Sequence, residues 1–540
     1  MPSLPLETDP DCSTAEDRRW RAWTWTFVGV GALVRLWRYL RRYPVWLDEH
    51  LLTLNLLDRD YAGLARGLDH QQAAPIGFLW IEKWLVSTFG LNEFTLRGAA
   101  LVSSIAALFA FRSLAARVLT GPAAAAAVGL SAMSYFPIRH ANEFKPYAGD
   151  LLFAVLMLHA ALAWFDDPRC NRRLLRLVVV SAAALPFSYP AIFTAAGIAA
   201  AAALEFVRSR RAAVGASASI YALATAATFA ALYRLSTAEQ FQVAAKSPWL
   251  FDYWRQGFPP TGFAPGAWLS WLAAAHAGEA FAVPVGTKNF GSIASAATAL
   301  GGAVALWRSG RRTLPTIVVG ILAAALGAAV LRRYPYGHGE RLHQYWVPWV
   351  CLFMGAAFGA LLARVGAPQR RLAAAVVPLT LAGLLVSAGE SILFPYKHRW
   401  DRQHQAFSRW FWNNAAAGEP LLCIADDLGY RLYPEMHAAP YRINREIYRP
   451  AVPDARAVDG VGSLPPGTPV RCVAFAQHDD LRDERAFVEW TSAMRTAFRL
   501  VDERRYDVMI DDKPGKPVTY HVWRFEPLGG ERRSSEVPHR

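Results

Sequence analysis

The chain has 540 residues, of which 54% are apolar and 19% charged, and its formal net charge is +14 at pH 7. Hydrophobic blocks fill most of residues 23–393, and a soluble fold cannot bury so many blocks of this length. The composition therefore excludes an ordinary soluble protein. Basic loops on the cytoplasmic side of a membrane explain the excess positive charge more simply than nucleic acid does.

Residues 1–22 are polar, acidic as far as Glu16 and then basic at Arg18, Arg19 and Arg21. No small-residue cleavage site follows the first apolar run, which a secretory signal peptide would show. The sequence therefore predicts a cytoplasmic N-terminal segment followed by a helix that stays in the membrane.

About eleven apolar segments are long enough to cross a bilayer. In chain order they lie at roughly 23–40, 96–117, 121–138, 148–165, 174–187, 190–206, 213–235, 290–307, 314–331, 345–363 and 372–393. Four of the short loops between them are rich in arginine. All four fall on the cytoplasmic side if the N-terminus is cytoplasmic, as the positive-inside rule requires. The other loops, and everything after residue 393, are then predicted to face outward.

Two outer stretches have mixed character. Within the first outer loop, 41–95, the run Pro75–Phe89 is apolar but contains Glu82 and Lys83, which favours a helix lying in the interface. The run 268–285 resembles it and leaves two readings open. One is a second interfacial helix; the other is a twelfth crossing, which would break the arginine pattern.

Residues 394–540 have the composition of a soluble segment. A helical stretch at 403–417 precedes strand-like runs, which predicts a small extracytoplasmic α/β domain. Cys423 and Cys472 lie in this domain, and both a disulfide and two unpaired thiols remain open. The predicted fold class is thus a mainly α, polytopic membrane protein with a C-terminal α/β domain.

Asp48 and Glu49 follow the first span directly. A pair of acids at a membrane boundary is costly unless water, a partner or a function holds it. One carboxylate there could take a proton from an acceptor hydroxyl. The structural alternative is that Asp48 caps the helix that begins with Leu51 and Leu52.

Three further polar clusters lie on the predicted outer side. The cluster around His70 and Gln71 leads into the interfacial helix at Pro75, which helix initiation alone could explain. The other two comprise Glu143, Lys145, Tyr147 and Asp150, and the loop 332–341. They place cations where the orientation bias disfavours them, and a lipid-linked phosphate or snorkelling from helix ends would account for those cations. His338, Glu340 and His343 match no strong zinc template, so a divalent metal has only weak support.

The order of these motifs resembles the GT-C glycosyltransferases, in the branch with protein O-mannosyltransferases, the lipid A aminoarabinose transferase and the RgtA/B-like bacterial enzymes. The resemblance covers about residues 20–400. An outer acid pair (Asp48, Glu49) is followed by Gln71-x-x-x-Pro75. The later motifs are Gly90-x-x-Glu93-x-x-x-Arg97, then Glu143-x-Lys145-x-Tyr147-x-x-Asp150, and a late Tyr-Pro loop with Arg341.

The resemblance implies transfer of a sugar from a polyprenyl-phosphate donor to an envelope acceptor, outside a bacterial cytoplasmic membrane. In that family the first-loop acid is the base or orients the acceptor, a role that falls on Asp48 with Glu49 beside it. Basic and tyrosine residues hold the donor phosphate, which corresponds to Lys145, Tyr147 and Arg341. Arg97 supports either the interfacial helix or the phosphate.

The sequence departs from the protein mannosyltransferases, which show His-Pro-Pro where this chain has Ala73-Ala74-Pro75, and Asp48-Glu49 is not a full Asp-x-Asp metal site. Three other functions remain open: a transporter or flippase of a lipid-linked precursor, a polymerase or ligase of surface polysaccharide, and a non-catalytic membrane scaffold with a degenerate site. Transporters tend to carry charges near the midplane and repeated halves, and neither pattern is evident here.

Overall fold

The computed structural model describes residues 15–245, 252–262, 264–283, 290–365, 369–393, 399–414, 421–425, 447, 468–476, 492–509 and 517–528. The chain divides into two compact units. The first, here called the membrane unit, comprises residues 1–42, 58–90 and 94–394. The second, here called the C-terminal unit, comprises residues 43–57, 91–93 and 395–540. The domain limits drawn from the sequence, at 22 and 393, stay a prediction.

Helices dominate the described residues. In chain order they are α1 (Ala15–Leu40), α2 (Leu47–Asp58), α3 (Ile76–Phe89), α4 (Glu93–Val118), α5 (Gly121–Met133), α6 (Tyr135–His140), α7 (Tyr147–Asp166), α8 (Asn171–Ala184), α9 (Ala191–Ser209), α10 (Ala212–Leu232), α11 (Ala238–Ala245), α12 (Pro265–Ala277), α13 (Phe290–Arg308), α14 (Thr313–Val330), α15 (Val347–Val365), α16 (Gln369–Ala374), α17 (Val376–Leu393) and α18 (Arg399–Asn413). A short π-helical segment, Tyr233–Thr237, joins α10 to α11.

Among the described residues, eight helical stretches are long and apolar enough to cross a membrane. They are Glu93–Val118, Tyr147–Asp166, Ala191–Ser209, Ala212–Gln242, Phe290–Arg308, Thr313–Val330, Glu340–Val365 and Arg371–Glu390. The predicted class, a mainly helical multi-pass membrane protein with a small C-terminal sheet, is confirmed. The predicted count of eleven spans stays a prediction, since α1, α8 and the predicted span at 121–138, which forms α5 and α6, are not among the eight.

The apolar run predicted at 121–138 forms two helices. Ser134, between α5 and α6, has non-helical backbone angles of φ −58° and ψ 119°. Pro137 has no N–H with which to bond the carbonyl of Met133 four residues earlier. The hydroxyl of Ser387 donates to that carbonyl instead, at 2.7 Å. The break therefore follows from the proline, and a distant side chain compensates the lost backbone bond.

Small residues allow close helix packing in the membrane unit. A Cβ atom on Gly197 of α9 would lie 2.5 Å from the carbonyl oxygen of Ile317 on α14. One on Gly302 of α13 would lie 1.6 Å from the carbonyl oxygen of Phe353 on α15. Apolar helices in lipid gain most from such close backbone approach, because no hydrophobic effect drives them together.

Helix α12 overlaps the run 268–285, for which the sequence left both an interfacial helix and a twelfth crossing open. It has 13 residues, Pro265–Ala277, and at about 1.5 Å per residue it is about 20 Å long. The hydrocarbon core of a bilayer is about 30 Å thick. The helix is therefore too short to cross, in agreement with the interfacial reading.

The C-terminal unit contains a four-stranded sheet with the order β1-β2-β4-β3. The strands are β1 (Leu421–Ala425), β2 (Val470–Ala476), β3 (Phe498–Met509) and β4 (Pro517–Pro527). β1 and β2 are parallel, and the other pairs are antiparallel. The strand-like runs predicted in this segment thus form a small sheet.

Candidate active site

The loop between residues 69 and 75 in the membrane unit has an unusual backbone. His70 and Gln71 both have φ of 57°, a left-handed conformation that residues other than glycine adopt at a cost. Gln72 closes the turn by donating its N–H to the carbonyl of Asp69 at 3.2 Å. Asp69 in turn forms a 2.8 Å ion pair with Arg59. Two consecutive strained residues persist only where their surroundings fix them.

Gln240 provides part of that fixation from a distant element. Its buried Oε1 accepts the N–H of Ala74 at 3.0 Å and the hydroxyl of Tyr189 at 2.7 Å. Its amide nitrogen donates to the hydroxyl of Ser236 at 3.1 Å. Ser236 lies in the π-helical segment Tyr233–Thr237. Such π-helical turns occur often at functional sites.

Lys145 lies against this loop. It is 8% exposed, and its ammonium group donates to Oε1 of Gln72 at 3.0 Å. The backbone N–H of Lys145 donates to the carbonyl of Glu143 at 2.8 Å, which forms a tight turn before α7. Gln72 therefore meets Lys145, whereas the sequence had singled out its neighbours His70 and Gln71.

Glu143 is held by two basic groups on the preceding helix. Nε of Arg139 donates to Oε1 at 3.2 Å, and Nδ1 of His140 lies 2.8 Å from Oε2. Arg139 and Glu143 have the i,i+4 spacing that favours such a pair on a helical turn. The ring of His140 also packs edge-on against Tyr147, with ring centroids 5.1 Å apart. Glu143 thus helps to fix the loop that carries Lys145.

A polar cluster lies at the start of α7. Asp150 is 3% exposed, and within the described part of the chain no hydrogen-bond partner reaches its Oδ1. Burial, and then the negative charges of Asp150, Tyr345 and Tyr147, raise the pKa of the Tyr334 phenol well above its usual value. These four side chains are therefore close neighbours. Tyr334 stays protonated and donates its hydroxyl to the carbonyl of Leu342 at 3.0 Å.

Arg341 lies among aromatic rings. Its guanidinium carbon is 5.0 Å from the ring centroid of Trp254 and 5.7 Å from that of Tyr253, and Nη2 donates to the Tyr253 hydroxyl at 3.0 Å. Such cation–π contacts hold the guanidinium plane while its edges can still donate. Arg332 and Arg333 are exposed at the end of α14, where the snorkelling explanation is sufficient.

The three residues considered for a metal do not form a site. Nε2 of His343 accepts the N–H of Gly337 at 2.9 Å, and Nδ1 lies 2.9 Å from the carbonyl of Gly339. Both ring nitrogens are therefore engaged with the loop backbone. Across the described residues, no group of three or more His, Cys, Asp or Glu side chains is placed to hold a metal ion.

Arg97 and Glu82 lie near the outer end of α1. Arg97 is 4% exposed, and its charge acts on the hydroxyl of Tyr39, as does that of Glu82. Glu82 is fully buried in α3, and no hydrogen-bond partner reaches either of its carboxyl oxygens from the described residues. Burial raises the pKa of Glu82 well above its usual range. Arg97 and Glu82 are thus both buried and both within electrostatic reach of the Tyr39 hydroxyl.

Asp48 and Glu49 belong to the C-terminal unit. Helix α2 begins at Leu47, so both acids lie in its first turn and Asp48 is not the residue that precedes the helix. Oε2 of Glu49 accepts the backbone N–H of Trp46 at 3.1 Å, as the glutamate of a capping box does. Glu49 is buried whereas Asp48 is partly exposed, so the capping role falls on Glu49 and Asp48 is the more accessible acid.

The structure brings Lys145, Tyr147, Asp150 and the His70–Gln71 loop together within the membrane unit. Sequence reasoning missed three contributors: Gln72, Gln240 and His140. The polar residues Glu239 and Gln240, just after an apolar segment, were the available signal for the second.

The arrangement of α4 to α17 around these outer loops defines the fold. Solved structures that share it include ArnT from Cupriavidus metallidurans in the apo state, with a TM-score of 0.52 at 12% identity. ArnT bound to undecaprenyl phosphate matches with a TM-score of 0.50 at 11% identity. Each match covers 93% of this chain and 98% of ArnT.

The oligosaccharyltransferase AglB from Archaeoglobus fulgidus, in complex with an inhibitory peptide and a dolichol-phosphate, has a TM-score of 0.46 at 11% identity over 96% of this chain and 75% of AglB. The sequence matches no protein-family profile, and no curated protein is significantly similar to it. The chain shares its fold with ArnT, and the predicted resemblance is confirmed at the level of the fold.

Proposed function

We propose that this protein is a membrane glycosyltransferase that moves a sugar from a polyprenyl-phosphate donor to an acceptor of the cell envelope, a glycolipid, polysaccharide or protein. Buried Lys145 carries the proposal, because it lies beside the polar cluster of Tyr147 and Asp150 in a chain with the GT-C fold. ArnT, which shares that fold, has been solved with undecaprenyl phosphate bound. A lipid phosphate is the anion that a buried cation at a membrane boundary suits best.

In the proposed reaction an acceptor hydroxyl oxygen attacks the anomeric carbon of the donor sugar. The new glycosidic C–O bond forms as the C–O bond to the phosphate breaks, and polyprenyl phosphate leaves. One in-line displacement of this kind inverts the anomeric centre. The leaving phosphate is already a stable anion, so no acid with a raised pKa is needed to protonate it.

Asp48 is the proposed base, which accepts the proton of the acceptor hydroxyl. Its partial exposure and its place in the first turn of α2 make it the accessible member of the acid pair. Glu49 fixes the helix start through the N–H of Trp46. A carboxylate near the acceptor and cations near the leaving group are what the charges of the transition state require.

Lys145 and Tyr147 are the proposed contacts of the donor phosphate. Arg341, whose guanidinium packs against the ring of Trp254, is a third. Asp150 and the strained loop at His70 and Gln71 are proposed to support these phosphate contacts. Arg97 is proposed to support helix α3. No step of this mechanism requires a metal ion. The proposed location is a bacterial cytoplasmic membrane with the chemistry on its outer face.

Mass spectrometry of lipid-linked sugars tests this function in cells with and without the gene. The proposal predicts that a polyprenyl-phosphate sugar accumulates, and an envelope glycan loses one residue, when the gene is deleted. Transporter function would instead leave the donor on the inner leaflet, with every downstream glycan that depends on it depleted. Unchanged lipid-linked sugars and glycans would contradict the proposal.

A further inference from the structure

Helix α2, which carries Asp48, is part of the C-terminal unit rather than of the membrane unit. Its buried leucines Leu51 and Leu54 form one cluster with Leu57, with Leu91 of the next outer stretch, and with Ile447. Ile447 lies far along the chain in the C-terminal region. The sequence had placed α2 in a loop of the membrane domain, so this grouping was not expected.

Glu93, two residues after Leu91, is tied to the C-terminal helix α18. Its side chain is 1% exposed, and Oε1 lies 3.7 Å from Nη2 of Arg409 and 3.5 Å from Nε2 of Gln405. A buried carboxylate needs a cation or hydrogen bonds to remain charged, because burial removes it from water. Arg409 and Gln405 provide both from one face of α18.

Helix α18 is in turn fixed to the sheet. Arg471 of β2 donates to the carbonyls of Phe411 and Asn414, at 3.2 and 2.7 Å. Phe407 of α18 packs against Tyr506 of β3, with ring centroids 5.5 Å apart. Helix α18 is therefore anchored to the sheet at its C-terminal half and reaches Glu93 through Gln405 and Arg409.

We infer that helix α18 is a positioning element for the proposed base, in which Arg409 and Gln405 hold the Leu91–Glu93 stretch and thereby the helix that carries Asp48. The inference rests on the proposed function for the role of Asp48. Arg409 is a positioning residue, since it acts through Glu93 and the leucine cluster.

The test uses the full-length protein in lipid nanodiscs with three variants. Arg409→Ala removes the cation, Arg409→Lys restores a positive charge, and Arg499→Ala is the matched control. Arg499 is 70% exposed on β3 and forms a 3.5 Å ion pair with Glu526 of β4. Its replacement should change neither readout described below.

The first readout is hydrogen exchange of the amides in α2, which does not depend on catalysis. Arg409→Ala is expected to speed exchange in residues 47–58 roughly tenfold, which corresponds to about 1.4 kcal/mol of lost anchoring. Peptides from α17 should exchange as before, and Arg409→Lys should recover much of the protection. Unchanged exchange in α2 would overturn the inference.

The second readout is release of undecaprenyl phosphate from a panel of synthetic undecaprenyl-phosphate monosaccharides, with envelope extract as acceptor. Arg409→Ala should lower kcat and leave the KM for the donor near its normal value, because the donor phosphate is held elsewhere. Faster exchange with full activity would overturn the positioning role. If the unmodified protein releases no undecaprenyl phosphate, the proposed function fails, while the exchange measurement still decides whether Arg409 anchors α2.

Discussion

Glu82 is a fully buried carboxyl group on a helix that the sequence predicted to lie in the interface. Its folded-state pKa is raised, so the folded protein keeps the proton at pH values where the unfolded chain, with a usual value of 4.5, has released it. Stability is then fully present below pH 4.5 and is lost as the pH rises from there toward the raised pKa.

The replacement Glu82→Gln removes this dependence. The thermal midpoint of the unmodified protein should fall relative to that of the variant as the pH rises above about 5. Between pH 4.5 and the raised pKa, the difference in unfolding free energy between the two proteins should change by about 1.4 kcal/mol per pH unit. Thermal unfolding in nanodiscs between pH 5 and 9 measures this difference. A constant offset between the two proteins would show that Glu82 is ionised in the folded state.

Lys145 is expected to act on donor binding. Replacing it by Met removes a charge-assisted hydrogen bond of about 1.5–3 kcal/mol, so the KM for a polyprenyl-phosphate sugar should rise about tenfold to a hundredfold. Arg333→Gln is the matched control, because Arg333 is exposed at the end of α14. Steady-state kinetics with purified protein measure the KM of both variants. Equal effects of both replacements would contradict a specific role for Lys145.

At this scale the sequence predicted clusters of polar residues but not the partners within them. The ion pair of Arg139 with Glu143 is one such partnership. The hydrogen bond between Gln240 and Ala74 joins residues 166 positions apart, and no local sequence pattern predicts it. Left-handed backbone at His70 and Gln71 is equally hidden, because neither residue is the glycine that normally signals it.

At the level of the helices, Gly302 and its neighbour Gly301 offer a direct test of close packing. A Cβ at Gly302 would overlap the backbone of Phe353, whereas one at Gly301 meets nothing within 4 Å. Gly302→Val should therefore destabilise the protein by about 1–3 kcal/mol or more through overpacking. Gly301→Val should have little effect.

Thermal unfolding of the two variants, followed by size-exclusion chromatography, measures the difference. Both replacements add the same side chain to adjacent positions of α13, so any general effect of valine on a membrane helix cancels. Similar midpoints for both would show that α13 and α15 do not approach as closely as the structure has them.

Most helices were predictable because long apolar runs leave the backbone few alternatives in a membrane. The predicted bounds of α9, 190–206, and of Ala191–Ser209 in the structure differ by at most three residues. Two features escaped prediction. Pro137 divides one apolar run into α5 and α6, and α2 groups with the C-terminal unit through a leucine cluster that involves Ile447.

For the whole molecule, the fold and the membrane location follow from composition, and the GT-C resemblance follows from the order of short motifs. Chemistry at one face of the membrane requires that the outer loops share a side. The arginine-rich loops at 169–176, 208–211, 308–312 and 364–371 indicate that side. Pocket shape decides which sugar and which acceptor are used, and short motifs do not encode it.

The orientation has its own test. Single cysteines placed in the loop 332–341 and in the arginine-rich loop 308–312 should react differently with a membrane-impermeant thiol reagent applied to intact cells. The first is expected to be labelled and the second protected. Labelling of both, or only of 308–312, would contradict the predicted orientation.

Sugar transfer by the purified protein with aspartate 48 changed to asparagine tests the central claim most directly. Asp48→Asn keeps the size of the side chain and removes its basicity, so the rate of undecaprenyl phosphate release from a competent undecaprenyl-phosphate sugar should fall at least about a hundredfold. Thermal stability and binding of undecaprenyl phosphate should stay as they were. Full transfer activity in the Asp48→Asn protein would contradict the account.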